Sequence, residues 1–149
     1  APLAATGNIV NTATVTGGGI TPIEVTETVT TDNEPLLNIT KSISPVPVTE
    51  NGTLTYTFLI QNTGNTAADA ATAAEIIDTF DPILSNIAVS YNGTALAAGT
   101  DYTYNEATGL FATTAGRITV PAAAYTQDPA TGSWIVTPGT GTLTVTGTI

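Results

Sequence analysis

The 149-residue chain has no cysteine, no methionine and no histidine. Without cysteine there is no disulfide framework and no thiolate nucleophile. Without histidine as well, the usual zinc and copper ligand sets are missing, and no side chain with an ordinary pKa near neutrality is left to serve as a general base. These absences argue against a hydrolase or a redox enzyme. Basic residues are almost as scarce: Lys and Arg number 2, Lys41 and Arg117, against 12 Asp and Glu, for a formal charge of -10. So acidic a chain cannot track phosphates, which argues against a nucleic-acid partner. An anionic membrane would repel it, while divalent cations would gather on it. There is no apolar run of about 18 residues to span a bilayer. Nor is there a basic, apolar leader, so an exported chain is expected to have lost one, with Ala1 as the mature N-terminus.

What the chain does have is strand-forming material. Hydrophobic residues make up 42%, enough for a core, and roughly one residue in five is Thr. Thr and Val favour pleated, half-buried surfaces. Exposed Thr in place of Lys and Glu is common on secreted proteins, so an extracellular or cell-surface location is expected. No helical period is sustained. The Ala-rich stretch Thr66 to Ile77 predicts a short helix or a long loop. Elsewhere short alternating runs are separated by turn residues. They predict strands at Asn8 to Thr16, Leu36 to Ser44, Thr53 to Asn62, Glu75 to Phe80, Asn86 to Tyr91, Tyr102 to Asn105, Leu110 to Thr113, Arg117 to Val120, Trp134 to Thr137 and Thr142 to Ile149. Asn92-Gly93 is a two-residue hairpin signal. Ile20 to Thr30 reads as an extended arm, and Thr31 to Pro35 as a junction. About seven to nine short strands at this spacing suggest an all-β, immunoglobulin-like antiparallel β-sandwich. It would occupy residues 36–149, behind an N-terminal strand in 1–18 and an arm or linker in 19–35.

Alternation assigns faces, and three predicted strands each carry one polar residue on the apolar face. Leu37, Ile39 and Ile43 share theirs with Lys41. Ile9, Ala13 and Val15 share theirs with Asn11. Ile76 and Phe80 share theirs with Asp78. A lone buried ammonium is costly; it must be paired, neutralised or consumed. One route consumes it: Lys41 attacks the Asn11 carboxamide, Asp78 relays protons, ammonia leaves and an isopeptide bond remains. Burial would favour the neutral amine and the protonated acid that this needs. The alternative is that Lys41 bends to the surface or forms an ordinary ion pair with Asp78, while Asn11 satisfies backbone groups.

The order of these elements is unusual. Residues 7–17 read as the closing strand of a sandwich placed ahead of the others, and Thr142 to Ile149 reads as a next-to-last strand. The segments Leu37-Asn-Ile-Thr-Lys-Ser-Ile-Ser-Pro45, Asn51-Gly-Thr-Leu-Thr-Tyr-Thr-Phe58, Gln61-Asn-Thr-Gly-Asn65 and Ile77-Asp-Thr-Phe80 resemble the conserved surface repeat of bacteria and archaea known as domain of unknown function eleven. That family closes with a Thr-rich strand, here Leu143 to Thr148, and then an Asn-Thr-Ala-x-Val strand. The latter is matched by Asn11-Thr-Ala-Thr-Val15 at the opposite end of the chain. The resemblance covers about residues 7–17 and 36–149; the permuted order and the longer stretch around Thr66 to Ala74 depart from it. It implies an immunoglobulin-like, non-enzymatic module of adhesins or surface stalks.

A closing strand carried at the front can complete a neighbour, as in donor-strand complementation. Such a contact is heterologous, does not close, and grows a filament. The expectation is therefore a structural subunit of an extracellular, pilus-like fibre that takes itself as partner. Its donor strand would contribute Ile9, Asn11, Ala13 and Val15. The alternatives are a tandem module of a cell-surface adhesin or stalk, with a repeat excised off its boundary, or a glycosidase using Asp78 and Glu75, which lacks any sign of a cleft. No cofactor is expected, except that Asp32 and Glu34, joined by Asp81 or Asp101, offer oxygen ligands to Ca2+; a solvated turn before Pro35 explains them equally. Asn38, Asn51 and Asn92 begin Asn-x-Thr sequons, and the last two also read as turns. Trp134 and Tyr56 are expected in the core. Tyr91, Tyr102, Tyr104 and Tyr125 are expected in core or interface packing, or in an exposed patch.

Overall fold

A computed structural model describes residues 8–17, 20–30 and 33–149; within the two N-terminal strands, side chains are described at 12–14 and 24–26 only. The described chain is all-β, with several antiparallel sheets and no α-helix. β1 (Asn8–Gly17) and β2 (Ile20–Thr30) form a two-stranded sheet of their own. The larger sheet has the order β3-β4-β12-β6-β7, from β3 (Leu37–Ser44), β4 (Thr53–Asn62), β6 (Ser85–Tyr91), β7 (Thr94–Ala95) and β12 (Gly139–Thr148). A smaller sheet has the order β5-β9-β8, from β5 (Ile77–Thr79), β8 (Tyr102–Asn105) and β9 (Leu110–Thr113). The last pair, β10 (Ala124–Gln127) and β11 (Trp134–Thr137), is a separate hairpin.

The core lies between the five-stranded and three-stranded sheets, and alternation builds it. In β4, Leu54, Tyr56, Phe58 and Ile60 are all buried, as are Leu143 and Val145 opposite them in β12. Phe80 is the hub of an aromatic cluster: its ring stacks on Tyr56 at 4.5 Å, and Phe111 and Tyr104 follow at 5.4 and 5.6 Å. Two phenols at this cluster are paired, buried Tyr56 Oη donating to Pro82 O at 3.2 Å and half-buried Tyr104 Oη to Leu84 O at 2.8 Å. The expected hairpin forms at Asn92 and Gly93, whose φ values of 48° and 80° fit the tight turn that joins twisted strands.

The Ala-rich stretch, expected as a short helix or a long loop, is a loop with one 3-10 turn, Ala70–Thr72. Asp69 caps it through Ala71 N and Thr72 N, and Ala73 ends it in the left-handed conformation at φ 54°. Elsewhere the structure departs from the sequence reading. Residues 117–120 form no strand; Val120 makes a single bridge to Ala68, and Pro121 has no N–H to extend the ladder. Trp134 is not in the core: it is 39% exposed on the β10–β11 hairpin, next to exposed Ile135 and Val136. Lastly, the stretch expected as an arm is β2, paired with β1 from Asn8↔Thr30 to Gly17↔Ile20.

The carboxylate of Asp101 is buried against Arg117 and the Ala97 amide. The Ala97 N–H at 2.8 Å, and then Arg117, hold its pKa below the usual carboxylate value. A lowered folded-state pKa gives stability that is present above the unfolded value of about 4 and is lost as pH falls through the folded value. An Asp101→Asn variant should therefore be less stable than the parent at pH 7, with the gap narrowing by pH 2.5. Urea midpoints at the two pH values check this; a gap independent of pH would rule out the ionised carboxylate as its source.

Candidate functional site: an open flank with a lysine–aspartate pair

The two facing sheets are unequal, and the imbalance is concentrated on one side. β3 is an edge strand of the larger sheet, β5 is an edge strand of the smaller one, and the two edges run alongside each other. Ile39 and Ile76 line one recess, Lys41 meets Asp78, and Tyr56, the partner of Ile43, stacks on Phe80. Residues 39 to 43 thus track residues 76 to 80 in the same direction. No strand among the described residues continues the smaller sheet past β5. In consequence Leu37, Ile39 and Ile43, apolar residues on one face of β3, are 42%, 48% and 40% exposed. This is the unpaired edge and uncovered apolar face that isolated domains ordinarily avoid.

In the middle of this flank lies the polar pair that the alternation picked out. Lys41 is directed inward: its Nζ lies 4.7 Å from the Tyr56 ring centre, 5.8 Å from that of Phe80 and 5.9 Å from that of Phe58. It forms an ion pair with Asp78 Oδ2. That oxygen is buried, with the Lys41 ammonium against it. Above the pair opens a cavity of about 230 Å³ lined by Ile39, Phe58, Glu75, Ile76 and Ile77. An aromatic wall, an amine and a carboxylate therefore face an accessible space. Chemically, such a site can hold an incoming amide or transfer protons to it.

Of the other expected site residues, Asn11 lies in β1 opposite Glu27 in the backbone register; its side chain, like those of Ile9 and Val15, falls outside the described residues. Ala13 is exposed. Asp32 is outside the described residues, while Glu34 is exposed beside Gly64. Asp101, one of the proposed helpers for Ca2+, is engaged with Arg117 instead. Among the described residues no group of three or more Asp or Glu is placed to hold a metal, and no helix is long and apolar enough to cross a membrane.

Sequence reasoning placed Asn62 at the end of a strand and in a segment shared with the surface repeat, with no partner assigned. The structure shows it to be the root of the arm. Its buried amide accepts from Leu36 N at 3.0 Å and Gly64 N at 2.9 Å, and donates to Thr66 O at 2.8 Å and Pro121 O at 3.0 Å. Gly64 completes the clamp, since a Cβ there would sit 2.2 Å from Glu34 O and 2.6 Å from Leu36 N. Asn33 Oδ1 accepts from Asn65 Nδ2 at 3.0 Å. Residues 33–36 are thus fixed against the sandwich at the start of β3. The Asn62-Thr-Gly-Asn65 pattern carried that signal, but only the tertiary contact reveals what it holds. Searches against protein-family models, curated proteins and solved structures give no match to this chain.

Proposed function

We propose that the protein is a structural subunit of an extracellular filament, assembled head to tail by donation of the strand in residues 7–17 to the next subunit. The observation that carries this reading is the open flank, where an unpaired β5 edge and the uncovered Leu37, Ile39 and Ile43 ask for one more strand. The resemblance of the Lys41, Asn62 and Asp78 segments to a bacterial and archaeal surface repeat supports it, and so does the Thr-rich, Lys-poor composition.

The Lys41–Asp78 pair gives the junction a covalent option. One proton passes from Lys41 to Asp78, leaving an amine and an acid. The amine nitrogen attacks Cγ of the neighbour's Asn11 side chain; Asp78 protonates the departing amide nitrogen and then takes up the second proton of the attacking nitrogen. The old C–N bond breaks, ammonia leaves, and an amide joins Lys41 to Asn11. Each bond formed lowers the mass by one ammonia.

Electron microscopy and a denaturing gel of the purified chain test the proposal together. Filaments are expected, with a ladder of oligomers that survives boiling. Deleting residues 1–17 should abolish the filaments, and Lys41→Ala should collapse the ladder to monomer. Filaments that persist in the deletion would end the strand-donation reading; a boiled wild-type band at monomer, with unaltered mass, would end the covalent one. A second reading, a module of a surface adhesin or stalk, is favoured by the exposed Trp134, Ile135 and Val136; it predicts an isolated monomer in the same images.

A further inference from the structure

We propose that the unit donated is the whole β1–β2 hairpin, with β1 pairing antiparallel to the free edge of β5 in a second copy and β2 closing the flank outside it. This deepens the filament reading above and rests on it. Strand number argues first. The larger sheet has five strands and the smaller three; one donated strand leaves five against four, whereas the hairpin gives five against five.

The second argument is pairing already made. β1 and β2 are in register along nearly their full length, with Thr12 Oγ1 and Thr26 Oγ1 3.3 Å apart on one face. Donating β1 alone would break that ladder to form another. The third is the hairpin's other face. Ala13 and Val25 are paired across the strands, and Val25 is 63% exposed, so an apolar surface is there with nothing among the described residues over it. The fourth is size: stable interfaces take about 20–30 residues a side, and the strands supply 10 and 11.

The occupant is a second copy because the chain's own hairpin cannot reach. Every ladder between the named strands is antiparallel. With β1 antiparallel to β5, β2 runs parallel to β5 and to β3, and Thr30 comes to lie at the Phe80 end of the flank. Asn33 is pinned to Asn65 at the opposite end, where β3 begins. The steps from Thr30 to Asn33 cover about 10 Å, whereas a strand the length of β3 spans about 25 Å. A neighbour stacked along the fibre has no such limit.

The absence of native cysteine makes the test clean. Full-length Thr12→Cys/Thr26→Cys protein is oxidised to lock the hairpin, and assembly is followed by sedimentation and negative-stain microscopy. The locked protein should polymerise to within about twofold of the wild type. In that locked background, where the hairpin stays formed, Val25→Lys should lower the sedimented fraction at least tenfold. Glu24→Lys, on the opposite face, should not. Assembly that stops on oxidation and returns with reductant would show that β1 leaves β2 to dock, overturning the inference while sparing strand donation. A Val25→Lys protein that assembles normally would likewise overturn it. Wild type that stays monomeric would remove the filament reading and this inference with it.

Discussion

Replacing Asn62 with Ala should cost about 3–5 kcal/mol and lower the urea midpoint by roughly 2 M. The side chain is buried and makes four hydrogen bonds to backbone groups, from Leu36 N and Gly64 N and to Thr66 O and Pro121 O. Truncation orphans all four partners at once, at about 1–3 kcal/mol for each group that stays dry; entry of water into the gap lowers the total. An unchanged slope with denaturant would place the effect in the folded state. Because Leu36 N is one of the partners, amide exchange at the start of β3 should also quicken. A loss below about 1 kcal/mol would show that water replaces the carboxamide without penalty, and that Asn62 is not the anchor of the arm.

Phe80→Ala should be as damaging, at about 3–5 kcal/mol. Phe80 contacts four other rings, Tyr56, Phe58, Tyr104 and Phe111, at centroid distances of 4.5, 6.4, 5.6 and 5.4 Å. Its removal leaves a cavity where the two sheets meet, and it also removes one wall of the space that holds the Lys41 ammonium, 5.8 Å from the ring centre. Phe80→Leu keeps most of the volume and should cost clearly less, by a margin of about 2 kcal/mol. Equilibrium unfolding of the two variants checks the ordering. Equal losses would mean that ring stacking, rather than filled volume, sets the stability at this position.

The parts of this fold that were legible in the sequence are those where burial and period agree. β4 alternates cleanly and is buried on one face as its Tyr56 and Phe58 pattern implies. The inward placement of Lys41 and Asp78 followed from the same two-residue period, and the structure brings the two together. The all-β class followed from short alternating runs broken by turn residues. What could not be read has local causes. β10 is the segment Ala-Tyr-Thr-Gln, with too little apolar contrast to alternate, and it becomes a strand only through pairing with β11. That pairing carries Trp134 out of the core where its size had placed it. The Ala-rich stretch left a short helix and a long loop open, and the local turn decides: Asp69 starts it and Ala73 ends it after three residues. The pairing of β1 with β2 joins residues that had been read as serving separate purposes, although the Gly17-Gly18-Gly19 run between them is itself a hairpin signature. The role of Asn62 was hidden, since its partners Leu36 and Pro121 are distant in the chain and close only in the fold.

The two cations bear on how the chain resists attack. A protease that cuts after Lys or Arg finds two addresses here, Lys41 and Arg117. Such enzymes need several residues around the scissile bond drawn out into their cleft. Lys41 sits inside a ladder with β4 and turns its ammonium toward Asp78, and Arg117 is gripped by the carboxylate of Asp101. Neither basic side chain is free to enter a specificity pocket while the sandwich stands. By engaging both basic side chains in ion pairs, the protein withholds from this class of digestive enzyme the feature by which it recognises a substrate.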